Sequence, residues 1–381
     1  MMFSNKTTKF ILFTILVFAP FFGFTNPTDT LPVKSEVEAV AHLADAKHEA
    51  HAEPTDIKSK IDAYKQHHVL DSHDFSLFGD EAKGKHYGFS LPIILWDNGV
   101  HIFSSSKFEH GHAVAESNGN YYKLGHDEKI YKTDAAGTLT GDSHHPTNAK
   151  PIDFSITKGV FSMIIVAFLM FFVFAGLAKS YKKNGGIASG VGRFFEPIVL
   201  YVRDEIAIPN IGEKHYKRYM SFLLTVFFFI WFLNIFGLTP LGINVTGNIA
   251  VTAGLAIVTF LITTFTANKN YWGHIFWMPG VPTPMKVILA PIELLGIFIK
   301  PFALMIRLYA NMIAGHIVIM SLLALIFIYK SIGMGALSFT LTFIISVIEI
   351  LVAALQAYIF TMLAALYFGS AVEEHHHEEA H

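Results

Sequence analysis

The sequence predicts an all-α integral membrane protein with five membrane-crossing helices, the last two long and tilted, one interfacial amphipathic helix and a small N-terminal extracytoplasmic extension. Three observations lead to this fold class. The 381-residue chain is 52% hydrophobic and 15% charged, outside the range of soluble chains of this length. It contains several uncharged runs long enough to cross a bilayer. A further run of that length, PFALMIRLYANMIAGHIVIM, is apolar for almost its whole length but contains an arginine, Arg307.

Composition also excludes several classes of function. A net charge of −2 and the lack of a long basic block argue against nucleic acid as a partner. The chain contains no cysteine, which excludes disulfides, thiolate metal sites and cysteine nucleophiles. No motif predicts a cofactor or a metal centre. The chain is expected to lie in the lipid bilayer.

The N-terminal part of the chain is predicted to lie outside the cytoplasm. In residues 1–25, Lys6 and Lys9 precede an apolar run that is short for a crossing helix, a pattern typical of a cleavable signal peptide. An uncleaved anchor is the alternative, because no small-x-small cleavage site is evident. Residues 26–150 form the extracytoplasmic extension, in which the run LPIILWDNGVHIFSS places strand-forming residues on both sides of an Asp-Asn-Gly turn and predicts a small β-sheet.

Histidines are concentrated in this extension. Of the 20 histidines in the chain, 13 fall between residues 42 and 145. They could bind zinc, but they do not form the closely spaced ligand pairs of a zinc site. A solvated polar surface is therefore the preferred interpretation.

Apolar segments predict the crossing helices. Residues 155–180 hold the first, and the lysine-rich sequence AKSYKK at its end indicates a cytoplasmic side. Residues 219–268 lack charged side chains, and a centre rich in Gly, Pro and Asn divides them into two helices. Residues 286–370 form the last two, each longer than a perpendicular crossing requires and therefore tilted or bent.

The remaining segments are predicted to lie on the cytoplasmic side. Residues 190–218 repeat apolar side chains at helical spacing between charged ones, which predicts an amphipathic helix on the membrane surface. Residues 269–285 mix lysine, aromatic residues and prolines, as in an interfacial loop. Residues 371–381 form a cytoplasmic tail. In the central hairpin, Asn234 and Asn248 are polar groups that need hydrogen-bond partners on neighbouring helices. A role in helix packing is preferred over a functional one for each.

Ionisable residues within the last two helices are candidate functional residues, because a charge at bilayer depth is energetically costly. An arginine keeps its proton in a protein, so Arg307 is the first candidate. On a helix, Glu293, Lys300 and Arg307 fall within about 40° of one another, and Asn311 joins that face. A snorkelling or structurally paired side chain is the alternative for Arg307.

Counting from a turn near residue 332 places further polar residues at matching depths. Arg307 and Gln356 lie at equal sequence distance from that turn, while His316 and Glu349 share a second level nearer the outside. The two levels are roughly 10–14 Å apart along the helices. A histidine and a carboxylate can exchange protons near neutral pH, whereas a guanidinium interrupts a proton wire. A structural ion pair between His316 and Glu349 is the alternative.

These residues resemble subunit a of the F-type ATP synthase, the stator of its membrane sector. The resemblance covers about residues 155–375, and a stretch similar to NxxGLxP begins at Asn234. Segment 26–150 lies outside the family core. The motifs that carry the resemblance are Lys300-Pro301, Arg307-Leu308, Asn311-Met312, Ala314-Gly315 and Leu355-Gln356-Ala357.

The resemblance implies a proton path of two offset half-channels, separated by Arg307, along which a rotating c-ring carries protons on a carboxylate. It implies a subunit of a proton-transporting complex in the bacterial inner membrane, not an enzyme by itself, with the c-ring and the peripheral-stalk b subunits as partners. Asn311 and Gln356 would sit beside the arginine. The residues implied to line the access routes are His316, Glu349 and Glu293.

One departure from the family pattern concerns two of these residues. Many bacterial members carry Glu where His316 stands and His where Glu349 stands, so this chain has the pair exchanged. The exchange keeps one imidazole and one carboxylate at these two positions, which are predicted to lie at the same depth. It therefore favours a close approach of the two side chains.

Two other functions remain open from the residues alone. A self-contained secondary transporter should have paired repeats and broken helices at the midplane, and the sequence shows no such repeat. A metal-binding module built on the histidine-rich extension would need one anchor, which leaves five crossings unexplained.

Overall fold

A computed structural model describes residues 71–373, except 81–84, 112, 126, 143–144, 184, 186–189, 191, 240–243, 279–280 and 330–331. The predicted signal peptide, residues 26–70 of the extension and residues 374–381 of the tail lie outside the described part. Within it, a β-rich domain is followed by a set of long helices.

The β-domain consists of short antiparallel strands. They form four small sheets with the strand orders β1-β2, β10-β3-β4, β5-β6-β7 and β8-β9, where a single sheet was predicted. The strands are β1 (Asp74–Asp80), β2 (Lys85–Ser90), β3 (Pro92–Trp96), β4 (Val100–Ser104), β5 (Ala115–Ser117), β6 (Asn120–Leu124), β7 (Ile130–Thr133), β8 (Gly141–Asp142), β9 (His145–Pro146) and β10 (Ile152–Asp153).

The predicted Asp-Asn-Gly turn joins β3 to β4. Asn98 has a φ of 52°, in the left-handed region that asparagine tolerates better than most residues. The register pairs Ile93 with Phe103 and Trp96 with Val100. Because side chains alternate along a strand, Ile93 and Phe103 enter the apolar core of the domain, whereas Trp96 and Val100 are exposed.

The helical part contains eight α-helices within the described residues, and five of them are long and apolar enough to cross a membrane, namely α1, α4, α5, α7 and α8. This confirms the predicted number of crossings. The helices are α1 (Lys158–Lys183), α2 (Gly192–Tyr201), α3 (Ile208–Ile211), α4 (Tyr216–Gly237), α5 (Ile249–Thr266), α6 (Lys269–Phe276), α7 (Thr283–Tyr329) and α8 (Ile332–Val372).

The segment predicted as one amphipathic helix at 190–218 is shorter and less regular. A π-helical turn, Val202–Ala207, connects α2 to α3, and α3 is followed by Gly212, whose φ is 86°. The crossing helix α4 then begins at Tyr216, before the predicted start. The prediction of this boundary was wrong because the two basic residues after Tyr216 are exposed in the first turn of α4, where long side chains reach the surface.

The predicted interfacial loop at 269–285 contains the short helix α6. Its sequence, KNYWGHIF, is free of proline, and all three prolines of the segment follow it. Pro284 lies in the first turn of α7, where the missing N–H leaves no helical hydrogen bond unmade. The loop prediction was therefore wrong for the first half of this segment.

Helix α7 is too long for a perpendicular crossing. It has 47 residues and stays helical through Pro291 and Pro301. At about 1.5 Å per residue it is roughly 70 Å long, more than twice the thickness of the hydrocarbon core. The prediction of tilted or bent final helices follows from this length.

The helix ends define two sides of the bundle. Asp71 of the β-domain accepts hydrogen bonds from the start of α1 and from the residue before α5. We call this side the domain end. At the opposite side, the backbone N–H and the side-chain amide of Asn268, after α5, donate hydrogen bonds of 2.8 and 3.1 Å to the carbonyls of Ala371 and Val372. We call this side the tail end.

Candidate functional site

One hydrogen bond joins the two longest helices. The side-chain amide of Asn311 on α7 donates to Oε1 of Gln356 on α8 at 2.8 Å, and Gln356 is 3% exposed. Leu308 and Ala357 are buried beside this pair. A polar contact between apolar helices fixes their register, because sliding either helix would leave an amide without a partner. Gln356 was predicted to lie at the same depth as Arg307. It instead binds Asn311, which lies one helical turn further along α7.

Arg307 lies near the middle of α7, and its side chain is exposed. Within the described part of the chain, no carboxylate forms an ion pair with it. Its surroundings towards the tail end include Tyr367 of α8, which lies within electrostatic range of the guanidinium. The Lys300 ammonium lies 5.6 Å from the centroid of the Tyr367 ring. Sequence reasoning missed Tyr367, which counting from the helical turn would have placed near Lys300.

A small cleft opens on the other side of Arg307, between α4, α7 and α8. It encloses about 260 Å³ of empty space, and its polar lining consists of Asn234, Asn311, Glu349 and Gln356. Asn234 is buried near the domain end of α4, where its Oδ1 accepts a 2.8 Å hydrogen bond from the hydroxyl of Thr246. Three predicted site residues thus share one cleft with an asparagine that was expected to serve in packing.

Glu349 lies directly against α7. A Cβ atom placed on Gly315 would overlap the Glu349 carboxylate, so only a glycine leaves room for this carboxylate to approach the helix. Gly315 precedes His316 in the sequence. Glu349 was predicted to lie at the level of His316, and the structure places it against the preceding residue of α7. Glu349 lines the cleft, but His316 does not.

Glu293 is separate from the cleft and lies towards the tail end. It lies close to His274 of α6, with 4.0 Å between Nδ1 of the histidine and Oε1 of the glutamate. A second cleft, of about 330 Å³, lies at this end between α5, α7 and α8, and its lining includes Tyr271, Lys300 and Tyr367. Of the predicted site residues, Asn311, Glu349 and Gln356 thus line the cleft nearer the domain end, whereas the cleft at the tail end is lined by Lys300 and the two tyrosines.

The β-domain contacts the domain end of the bundle through Asp71. Its Oδ1 accepts a 2.8 Å hydrogen bond from the backbone N–H of Gly159, and its Oδ2 accepts one of 2.9 Å from the hydroxyl of Thr157. The side-chain amide of Asn248 donates to Oδ2 at 3.4 Å. Burial raises the pKa of Asp71, although the hydrogen bonds from Gly159 and Thr157 act in the opposite direction. Sequence reasoning missed this contact, which joins residues far apart in the chain.

A largely buried ion pair joins the two ends of the β-domain close to this contact. Nε2 of His73 lies 3.0 Å from Oδ2 of Asp153, and the His73 side chain is 5% exposed. Burial alone would lower the pKa of His73, but the hydrogen bond and charge of Asp153 raise it above its ordinary value. In Asp153 burial acts to raise the pKa, but the hydrogen bond and charge of His73, together with the hydrogen bonds from Ser155, lower the pKa below its ordinary value. Both ends of the domain sequence are thus held together next to α1.

The histidine-rich extension was weighed above as a possible metal site. Among the residues that the structure describes, no three His, Asp or Glu side chains are grouped closely enough to hold a metal ion. His101 instead bonds to Ser117 and to the carbonyl of Asp97 within the β-domain.

Comparisons with known proteins match two parts of the chain. Residues 160–369, more than half of its length, match the family described as ATP synthase A chain. Residues 64–154 match a family described as a domain of unknown function. The second match covers the β-domain.

Relatives in several bacteria are similar to this chain. "ATP synthase subunit a" of Chloroherpeton thalassium is 45% identical over 235 residues, covering 60% of this chain and 70% of the relative. The protein of that name in Myxococcus xanthus is 42% identical over 236 residues, covering 60% and 77%.

One relative is similar over a longer part of the chain. "ATP synthase subunit a 2" of Prosthecochloris aestuarii is 37% identical over 314 residues, 77% of this chain and 95% of the relative, an alignment too long to be confined to the helical part. The match over α1 to α8 and the identity with these relatives show that the chain belongs to the ATP synthase A chain family.

Proposed function

We propose that this chain is the proton-conducting stator subunit of the ATP synthase membrane sector. In this proposal Arg307 faces a rotating ring of c subunits, and two half-channels load and unload a carboxylate on that ring. Proton flow through them turns the ring and is coupled to ATP synthesis. The observation that carries the proposal is an exposed Arg307 near the middle of a membrane-crossing helix, with no ion pair to a carboxylate of the described residues. A small cleft lies on either side of it, each lined by apolar side chains and a few polar ones.

The chemistry of a guanidinium explains the role of Arg307. It stays protonated at any physiological pH, so it neither accepts a proton from one half-channel nor passes it to the other. A carboxylate on the ring that arrives opposite this charge is favoured in its ionised form and releases its proton. Direct leakage is thereby prevented, and protons cross only by travelling with the ring.

The polar residues around Arg307 receive separate roles. Asn311 and Gln356 hold α7 and α8 in register beside the arginine, since their amides bond to each other. Glu349, with His316 next to its contact at Gly315, belongs to the access route from the domain end. Glu293 belongs to the route from the tail end, where it lies near His274.

The same proposal assigns an orientation and partners. Lys182 and Lys183 in the last turn of α1 favour a cytoplasmic tail end. The β-domain is accordingly proposed to lie outside the bacterial inner membrane. Residues 1–25 are proposed as a signal peptide and 26–150 as an extracytoplasmic domain. The proposed partners are the c-ring, the peripheral-stalk b subunits and the bilayer.

A cross-linking experiment tests whether Arg307 faces the ring. The chain has no cysteine, so a single introduced cysteine reports one position. Ala310→Cys places a thiol on the exposed face of α7, one turn from Arg307, and Phe168→Cys is the control on the exposed surface of α1. In the assembled complex, we expect Ala310→Cys to form a disulfide with a cysteine beside the ring carboxylate and Phe168→Cys to form none. Equal yields from both positions would contradict the proposal.

A self-contained transporter would behave differently in liposomes. The proposed stator contains half of the ion path and needs the ring for the other half. The isolated chain should therefore show no sustained proton uptake under a membrane potential. Robust uptake by the purified chain alone would favour the transporter.

A further inference from the structure

Asp71 binds two helix N-termini at once. Through Gly159 it reaches the first turn of α1, and through Asn248 it reaches the residue that caps α5. The positive ends of both helix dipoles therefore converge on one carboxylate, an arrangement that offsets part of the cost of burying it. Asp71 lies in the segment that matches the domain of unknown function, outside the match to the ATP synthase A chain family.

Asn248 transmits this contact to the segment that precedes α5. Its Nδ2 donates to Asp71, while its Oδ1 accepts a 3.0 Å hydrogen bond from the N–H of Ala250 and so caps the helix. Its own backbone N–H bonds to the carbonyl of Val245 at 3.1 Å. The segment 244–248 is thus a tight turn whose C-terminal residue is held by the β-domain.

Thr246 lies inside this turn and binds a residue that lines the cleft. The residue is fully buried, and its hydroxyl donates the 2.8 Å hydrogen bond to Oδ1 of Asn234. Asn234 lines the cleft that also contains Glu349. A continuous series of contacts therefore runs from Asp71 through Asn248 and the turn to a side chain beside Glu349.

We propose that the β-domain positions the entrance of the ion path at the domain end: Asp71 holds Asn248 and its turn, and the turn holds Thr246, which orients Asn234 beside Glu349. Asp71 and Thr246 act here as positioning residues and exchange no proton. The proposal rests on the proposed function, because the position of Asn234 matters to transport if protons reach Glu349 through this cleft. The charged groups nearest to Asp71 are His73 of the domain and Lys158 of α1.

Proteoliposomes that contain the complete ATP synthase test this role. With the β-domain facing the lumen, the rate of ATP synthesis is measured against lumen pH at a fixed membrane potential. The measurement gives a half-saturating proton concentration and a maximal rate per assembled complex. The variants are Asp71→Ala and Thr246→Val, which removes a hydroxyl at nearly constant volume. Thr246→Ser keeps the donor, and Glu116→Ala removes an exposed carboxylate elsewhere in the β-domain.

We expect Asp71→Ala and Thr246→Val to raise the half-saturating proton concentration roughly threefold to tenfold, the effect of one lost hydrogen bond, with little change in the maximal rate per complex. Thr246→Ser and Glu116→Ala should match the unmodified protein. An unchanged half-saturating proton concentration in both test variants would overturn the proposal. This holds even if less complex assembled, because a contact with only a structural role would change the amount of complex and not its proton affinity. An equal rise in Thr246→Ser would also overturn it.

The same assay separates this inference from the proposed function. Arg307→Ala should abolish synthesis at every lumen pH. If that variant made ATP normally, the proposed function itself would fail. If it made none while Asp71→Ala behaved like the unmodified protein, the inference about the β-domain would fail alone.

Discussion

Asn311 on α7 and Gln356 on α8 are joined by a 2.8 Å hydrogen bond one helical turn from Arg307. The bond pairs the Asn311 amide N–H with the Gln356 carbonyl oxygen inside a largely apolar helix pair. The pair therefore fixes the backbone around Arg307 while that charge stays exposed. A carboxylate in the same place would pair with the arginine and remove it from any partner.

The first prediction concerns this bond. Gln356→Ala leaves the Asn311 amide without its acceptor, and Asn311→Ala does the converse. In a double-mutant cycle on the purified chain, followed by detergent-induced unfolding, we expect a coupling of about 0.6–1.7 kcal/mol, as for other hydrogen bonds between membrane helices. Additive effects of the two substitutions would show that the bond does not hold the register.

A second prediction concerns the contact between Gly315 and Glu349. Gly315→Ala introduces a methyl group where the carboxylate lies, so the helices must separate or Glu349 must turn away. Because the carboxylate is the far end of a flexible side chain, we expect it to turn away with little loss of stability and with a strong decrease of proton-driven ATP synthesis. Gly296→Ala on the same helix is the matched control, because a Cβ there meets no atom within 4 Å.

Shortening the acid tests the cause of the Gly315→Ala defect. Glu349→Asp withdraws the carboxylate by one methylene and should restore part of the activity in the Gly315→Ala background. A Gly315→Ala variant as active as Gly296→Ala would show that this approach is not needed.

Exchanging the two titratable groups near the cleft gives a third prediction. If His316 and Glu349 relay protons to each other, the double variant His316→Glu with Glu349→His keeps one imidazole and one carboxylate at this level. We expect it to retain more proton-driven ATP synthesis than either single alanine variant. The relay would lose its support if the exchange were as damaging as the single changes.

The fourth prediction is the pH dependence of the β-domain. Because folding raises the pKa of His73 above 6.5, its pair stabilises the domain fully below that pH and less as the pH rises through the folded pKa. Because folding lowers the pKa of Asp153 below 3.8, its contribution is present above that pH and is lost as the pH falls through the folded pKa. The pair should therefore stabilise the domain most between these two values.

Hydrogen exchange of the Phe154 amide, which bonds to the Ile94 carbonyl, measures this dependence in the full chain after correction for intrinsic exchange. Protection should decline above the folded pKa of His73. His73→Gln should remove that decline, and an identical pH profile in this variant would exclude the pair as its cause.

The features that the sequence predicted correctly depend on local patterns. The five crossing helices follow from long apolar runs with few or no charged residues, and the β3–β4 hairpin follows from a turn sequence between strand-forming runs. The cluster around Arg307 was found by helical spacing and by counting from the turn. That count was correct to within about one turn, because tilted helices do not keep equal residue numbers at equal depth.

The features that the sequence missed depend on contacts between distant residues. Asp71 and Asn248 are 177 positions apart, and no periodicity connects a polar residue of the extension to a helix cap in the membrane domain. The bond between Thr246 and Asn234 spans 12 positions, and the same hairpin contains many other threonines and asparagines, so no pattern singles out this pair.

The most direct test of Arg307 as the barrier between two half-channels is proton-driven ATP synthesis by complexes that carry Arg307→Ala. Arg193→Ala, which removes an exposed arginine at the start of α2, is the matched control. We predict that Arg307→Ala complexes assemble in normal amount and make no ATP under a saturating proton gradient, while the control makes it normally. Normal ATP synthesis by the Arg307→Ala complex would contradict this role.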